Sequence, residues 1–182
     1  MYADENRASI GDKVLQPGPY DGGKNPDDAI GTLADFKAIV FSETARNTID
    51  AAIALSSTAL LGKATPSDGY GTPKSSTITA KFRQSVQKYG RTTRLTKGMV
   101  YATNGNVKVQ YDTGVARFVK QIIITPGTFS AGGDSGSLVV DASTGSNSRR
   151  PVGLLFAGSS THTIANPIGA VLDAFGVTID GE

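Results

Sequence analysis

Apolar residues along this chain come in short runs, cut at close intervals by Gly, Pro, Ser and Thr, and that spacing is the pattern of a β-sandwich or barrel. Residues 37–41, 48–55, 99–102, 107–111, 116–125, 137–141 and 152–157 are the strand candidates, most of them rich in β-branched side chains. Val107, Val109 and Tyr111 alternate with polar neighbours, the signature of a half-buried antiparallel strand. Ahead of it, Asn104-Gly105 reads as a tight hairpin turn. Helix is scarce, and its clearest pattern covers 168–175, with Pro167 suited to the first turn and Gly176 to the C-cap. Residues 16–28 are loop-rich and read as connecting loop, while the breaker-rich stretch 62–73 reads as part of a linker between two β units.

The chain has 182 residues, 38% of them hydrophobic, enough for a real core in one compact domain or two small ones. Its 18 Lys and Arg against 16 Asp and Glu leave a net charge of +2 without a basic tail, so nucleic acid is not an expected partner. Apolar stretches such as 152–158 fall far short of the roughly 20 residues that span a bilayer. The expectation is a soluble protein with no membrane partner; as given it carries no export-leader pattern, and its compartment stays open. With no cysteine, a disulfide framework, a thiolate zinc site and a cysteine nucleophile are excluded. Asp21, Asn25, Asp27 and Asp28 lack the spacing of a calcium-binding EF-hand loop, and neither a metal nor another cofactor is expected. There is a single histidine, His162.

Candidate chemistry concentrates in Gly132-Gly133-Asp134-Ser135-Gly136, directly ahead of the apolar run 137–141. A serine that attacks a carbonyl needs backbone N–H groups converging on the oxyanion, and flanking glycines let the chain turn to provide them. Gly133 and Ser135 are the candidate donors. Taken alone, the pentapeptide is equally readable as a Gly-Ser-Asp turn. A nucleophile elbow would need a glycine where Ser137 stands, and alternating parallel strands with long helices are missing, which sets the α/β-hydrolase reading aside.

Together with Gly90-Arg91-Thr92-Thr93, Thr96-Lys97-Gly98-Met99-Val100 and the stretch from Pro151 to Gly158, this motif resembles the second β-barrel of the chymotrypsin-like serine proteases, in particular their bacterial branch. The resemblance covers roughly residues 80–176. Residues 47–54 resemble, more weakly, the first-barrel segment that carries the catalytic aspartate. What this implies is an all-β, chymotrypsin-like double β-barrel with an incomplete first barrel and a C-terminal helix. Residues 1–75 would form the partial first barrel, and 76–182 the second, with the nucleophile and the substrate pocket. Ser135 is implied as nucleophile, Asp50 as the carboxylate that orients a histidine base, and Gly133 with Ser135 as the oxyanion hole. Asp134 would be structural, with Arg91 as its ion-pair partner, since bacterial members use an arginine in the Gly-Arg-Thr-Thr position. Phe129, Ser130, Gly158 and His162 would shape the pocket for the side chain before the scissile bond. A trypsin-type pocket has aspartate six residues before the nucleophile, where this chain has Phe129. A basic side chain is therefore disfavoured; an acidic or small polar one is conceivable if His162 lies in the pocket.

The family's order along the chain is histidine, aspartate, serine, and no histidine precedes Asp50. Residues 2–12 read like the loop that follows the catalytic histidine, which puts that histidine and the first strands upstream of Met1. His162, 27 residues after Ser135, falls in the family's pocket region rather than at the place of the base. The expected function is a serine endopeptidase acting on a peptide or protein substrate through an acyl-enzyme, inactive or impaired as given for want of its base. The alternative is a non-catalytic, protease-like module for peptide binding or assembly. Open edges of an incomplete first barrel would also invite self-association.

Overall fold

Among the described residues, 6–182, the computed structural model has nine strands in two antiparallel sheets and a short helix near the C-terminus. Residues 1–5, and with them the start of the 2–12 segment, lie outside the described part. Strands β1 (Lys13–Leu15), β2 (Ala29–Phe36) and β3 (Ala52–Ser56) form a three-stranded sheet in that order. The other six are β4 (Ser85–Gly90), β5 (Arg94–Gln110), β6 (Val115–Thr125), β7 (Leu138–Asp141), β8 (Pro151–Gly158) and β9 (Thr163–Pro167). They close into a barrel in the order β4-β5-β6-β9-β8-β7, and closure leaves that sheet without free edges.

Alternation builds the barrel interior. Val86, Val100, Ile122, Ile124, Val139, Val152 and Leu155 point inward from successive strands and pack as one buried cluster. Each such side chain contributes about 1.5–3 kcal/mol on burial. Ile39, Ala116, Phe118 and Phe156 form a second buried cluster, with the Phe118 and Phe156 ring centroids 4.9 Å apart and Tyr111 packed alongside. Helix α1 (Ile168–Phe175) is the one read from the sequence, and Gly176 ends it at φ +63 with its N–H on the Leu172 carbonyl. Val171 packs on Ile49 and Ala51, so the helix clamps the chain on either side of Asp50.

Three sequence expectations are corrected, the first two by competing hydrogen bonds. Residues 37–41 do not form a strand, because asparagine side chains take their backbone: Asn6 bonds both the amide and the carbonyl of Ile39, and Asn47 does the same for Val40. The strand expected over 48–55 begins only at Ala52, since Asn47 bridges to Phe118 and the Asp50 backbone is bonded by Asn166. Asn104-Gly105 is a bulge inside the long β5 rather than a hairpin. A two-residue type I′ turn needs positive φ at both central residues, and only Asn104 has it, at +57. Strands β1, β2, β4 and β9 lie outside every strand expected from the sequence.

Candidate active site

The Gly132–Gly136 turn is held from below by Asp134, whose carboxylate is fully buried. Its Oδ1 accepts the Thr92 and Thr93 amides at 2.8 and 3.2 Å, and its Oδ2 accepts the Thr93 hydroxyl at 2.7 Å and the Ala131 amide at 3.0 Å. Burial alone would raise this carboxyl's pKa, but the four hydrogen bonds outweigh it and bring the group down to about 2. Gly90 ends β4 directly beneath, and a Cβ there would overlap the Asp134 carboxylate.

The counterion is Lys88, not Arg91. Lys88 rises on the inward face of β4 between Val86 and Gly90, fully buried, with its Nζ 3.2 Å from Asp134 Oδ2. The ammonium also donates to the Arg94 carbonyl at 3.1 Å and to the Thr93 hydroxyl, and it lies 5.9 Å from the centre of the Phe129 ring. Burial pushes the Lys88 pKa down while Asp134 holds it up. Arg91 sits beyond the end of β4, half-exposed, and pairs with Asp21, its Nε donating to Asp21 Oδ2 at 2.9 Å; Tyr20 lies under its guanidinium. The expected Asp134–Arg91 pair fails for a steric reason: a dry carboxylate is reached by an inward-facing side chain, and Arg91 faces out.

Ser135 is exposed, and its hydroxyl donates to the Phe156 carbonyl of β8 at 3.3 Å. Among the described residues, neither the Gly133 nor the Ser135 amide donates a hydrogen bond within the chain. Gly133 has φ +95, and a Cβ on it would lie 2.6 Å from Thr92 Oγ1, so glycine is required there.

Asp50 is buried, and Tyr111 donates its hydroxyl to Asp50 Oδ2 at 2.9 Å. The backbone is fixed by one side chain: Asn166 Oδ1 accepts the Asp50 amide at 3.0 Å, and Asn166 Nδ2 donates to the Asp50 carbonyl at 2.8 Å. Asn166 stands opposite Leu154 in the β8–β9 ladder, two residues before Phe156. Asp50 is thus tied to β9 opposite Leu154, and Ser135 to Phe156 two residues further along β8, although 85 residues separate them in sequence.

Of the four expected pocket residues, Gly158 and His162 line a groove of about 410 Å³ beside Tyr101, Lys108, Val109 and Ile164. Ser130 lies just beneath, its hydroxyl 2.6 Å from that of Thr163 and within 3.3 Å of where a Gly158 Cβ would stand. Phe129 does not face the groove: it is only 1% exposed and belongs to the barrel core, because its apolar ring packs against Gly98 and covers the Lys88 ammonium. His162 tilts its ring against Tyr101 at 5.0 Å and shares a hydrogen bond with the Thr161 hydroxyl through Nδ1. The partner of the Ser135 hydroxyl is thus a main-chain carbonyl and not an imidazole.

Lys88, Thr92, Thr93, Tyr111 and Asn166 are site residues that sequence reasoning missed. Lys88 carried a legible signal: it shares the alternation of Val86 and Gly90, and a lysine in phase with an apolar face demands a buried counterion.

Comparison with known proteins places the fold. The family model of the Nal1 C-terminal domain matches residues 57–168. No curated protein matches in sequence. Among solved structures, a glutamic acid-specific serine protease that uses a histidine triad in substrate binding is 25% identical, with a TM-score of 0.58 over 87% of this chain and 76% of that one. Cellulomonas bogoriensis chymotrypsin is 21% identical, with a TM-score of 0.62 over 88% and 80%. Thermobifida fusca protease A is 19% identical, with a TM-score of 0.60 over 84% and 75%. The fold is that of the chymotrypsin-like serine proteases. No described helix is long and apolar enough to cross a membrane.

Proposed function

The chain belongs to the family of the Nal1 C-terminal domain, and from that premise and the protease-like fold we propose that it carries the nucleophile and oxyanion parts of a serine endopeptidase. Ser135 attacks the peptide carbonyl while the amides of Gly133 and Ser135 receive the oxyanion, and Asp50 orients the imidazole, which takes the serine proton and gives it to the amine as the C–N bond breaks; water then releases the acyl group from Ser135. The observation that carries this reading is the exposed Ser135 on a turn braced by buried Asp134, with two neighbouring amides free. The imidazole comes from outside these 182 residues, because the one histidine, His162, lies in the groove. Among the described residues that groove has His162 on its wall and no carboxylate in its lining, and its Lys108 ammonium is already paired with Glu43, so His162 is the group that favours an acidic or small polar substrate side chain, in line with the glutamic acid-specific neighbour.

Active-site labelling tests the assignment. A fluorophosphonate probe is expected to label this chain slowly at Ser135, faster when free imidazole is supplied or when the chain is extended by its own upstream coding sequence, and not at all after Ser135→Ala. Peptide cleavage by the extended chain should then favour Glu, Asp or Ser before the scissile bond over Lys and Arg. The rival reading is a protease-like module that binds peptides without cutting them, favoured by the lack of a histidine ahead of Asp50. Silence of the probe under all three conditions would establish the module and end the protease assignment.

A further inference from the structure

The Gly132–Gly133 peptide joins two glycines and has little intrinsic resistance to rotation about its flanking bonds. Its orientation decides whether the Gly133 N–H faces the serine or turns away and puts the Gly132 carbonyl in its place. In a trans peptide the carbonyl and the N–H point in opposite directions, so whatever grips the carbonyl also aims the amide. Here the Gly132 carbonyl accepts the Thr92 hydroxyl at 2.8 Å. The hydroxyl has its proton committed to that carbonyl, because its oxygen already accepts Arg91 Nη1 at 3.2 Å. Arg91 in turn is fixed by Asp21, from the connection between β1 and β2, while the Thr92 amide is tied to Asp134 Oδ1. Thr92 thus stands where a connection from the small sheet and the buried Asp134 cluster both meet the turn.

We propose that Thr92 is a positioning residue that sets the Gly132–Gly133 peptide, and that the Asp21–Arg91 pair acts through it to hold the Gly133 amide toward the site. The inference rests on the serine-hydrolase reading for its purpose, but not for its geometry. It also gives Arg91 a role in place of the one expected from sequence: it orients the hydroxyl that grips the oxyanion turn instead of neutralising Asp134.

The test separates geometry from chemistry. In weakly aligned, ¹⁵N-glycine-labelled protein, the Gly133 N–H residual dipolar coupling reports the peptide's orientation. Thr92→Val is expected to change that coupling, and Thr92→Ser, which keeps the hydroxyl, to restore it; Asp134-side glycines such as Gly90 should keep their couplings in both, which shows that the fold is intact. Phenylboronic acid, whose boron takes the serine oxygen to give a tetrahedral anion while the hydroxyl proton passes to added free imidazole, should bind Thr92→Val at least tenfold more weakly than the wild type or Thr92→Ser. An unchanged Gly133 coupling in a folded Thr92→Val protein would overturn the inference. A changed coupling with no boronate binding by any form would leave Thr92 in its positioning role and count against the serine-hydrolase reading.

Discussion

Replacing Lys88 by methionine is expected to destabilise the protein by about 3–5 kcal/mol, read as a lower urea midpoint at unchanged slope. Methionine fills much the same space, so the loss isolates the charge: it leaves the Asp134 carboxylate buried without its cation. The hydrogen bonds from Thr93 and the Ala131, Thr92 and Thr93 backbone would remain, and they are why the loss is not larger. Adding Asp134→Asn to Lys88→Met should return more than 1 kcal/mol, since the charge that needs the cation is then gone. A loss below about 1 kcal/mol for Lys88→Met would refute the assignment of Lys88 as counterion. The same cluster sets an acid limit. Because the Asp134 pKa is lowered to about 2 in the fold, its contribution of about 2 kcal/mol is complete above the ordinary aspartate value near 4 and is lost as pH falls through about 2. Lys88→Met with Asp134→Asn should remove that part of the acid transition.

Removing the Asn166 side chain is expected to cost about 2–5 kcal/mol, because Asn166→Ala leaves both the amide and the carbonyl of buried Asp50 without their partner. The effect is local as well as global. Hydrogen exchange at the Asp50 amide should accelerate strongly in Asn166→Ala while the β4 amides of Val86 and Lys88 keep their protection. If Asp50 is the orienting carboxylate, imidazole-assisted labelling of Ser135 should also fall in this variant. Unchanged protection at Asp50 would show that α1, through Val171 on Ile49 and Ala51, suffices to hold the segment.

How far the site could be read beforehand follows from the range of the interactions involved. The Gly132–Gly136 turn, the strands β6, β7 and β8 and the helix α1 are encoded in short windows: glycines permit the turn, β-branched runs favour strands, and Pro167 with Gly176 brackets the helix. The alternation of Val86, Lys88 and Gly90 marks Lys88 as a buried cation, but no short window pairs it with Asp134. Arg91 and Lys88 lie three residues apart on either side of a strand end, and only the facing of β4 decides which of them enters the dry interior. Phe129 shows the same limit, since its position relative to Ser135 was legible but not the direction of its side chain.

What this sequence determined by itself is the all-β class, the glycine-bounded serine turn and the absence of any histidine ahead of Asp50, all properties of composition and of a few adjacent residues. Tertiary structure alone decided that Lys88 neutralises Asp134, that Asn166 moors Asp50 across 116 residues of chain, and that Asp21 pairs with Arg91, which donates to the Thr92 hydroxyl beside the turn. Those pairings depend on which strand faces lie opposite each other once the barrel has closed. A buried charge or amide has no energetic preference among distant partners until closure removes water and leaves one within reach.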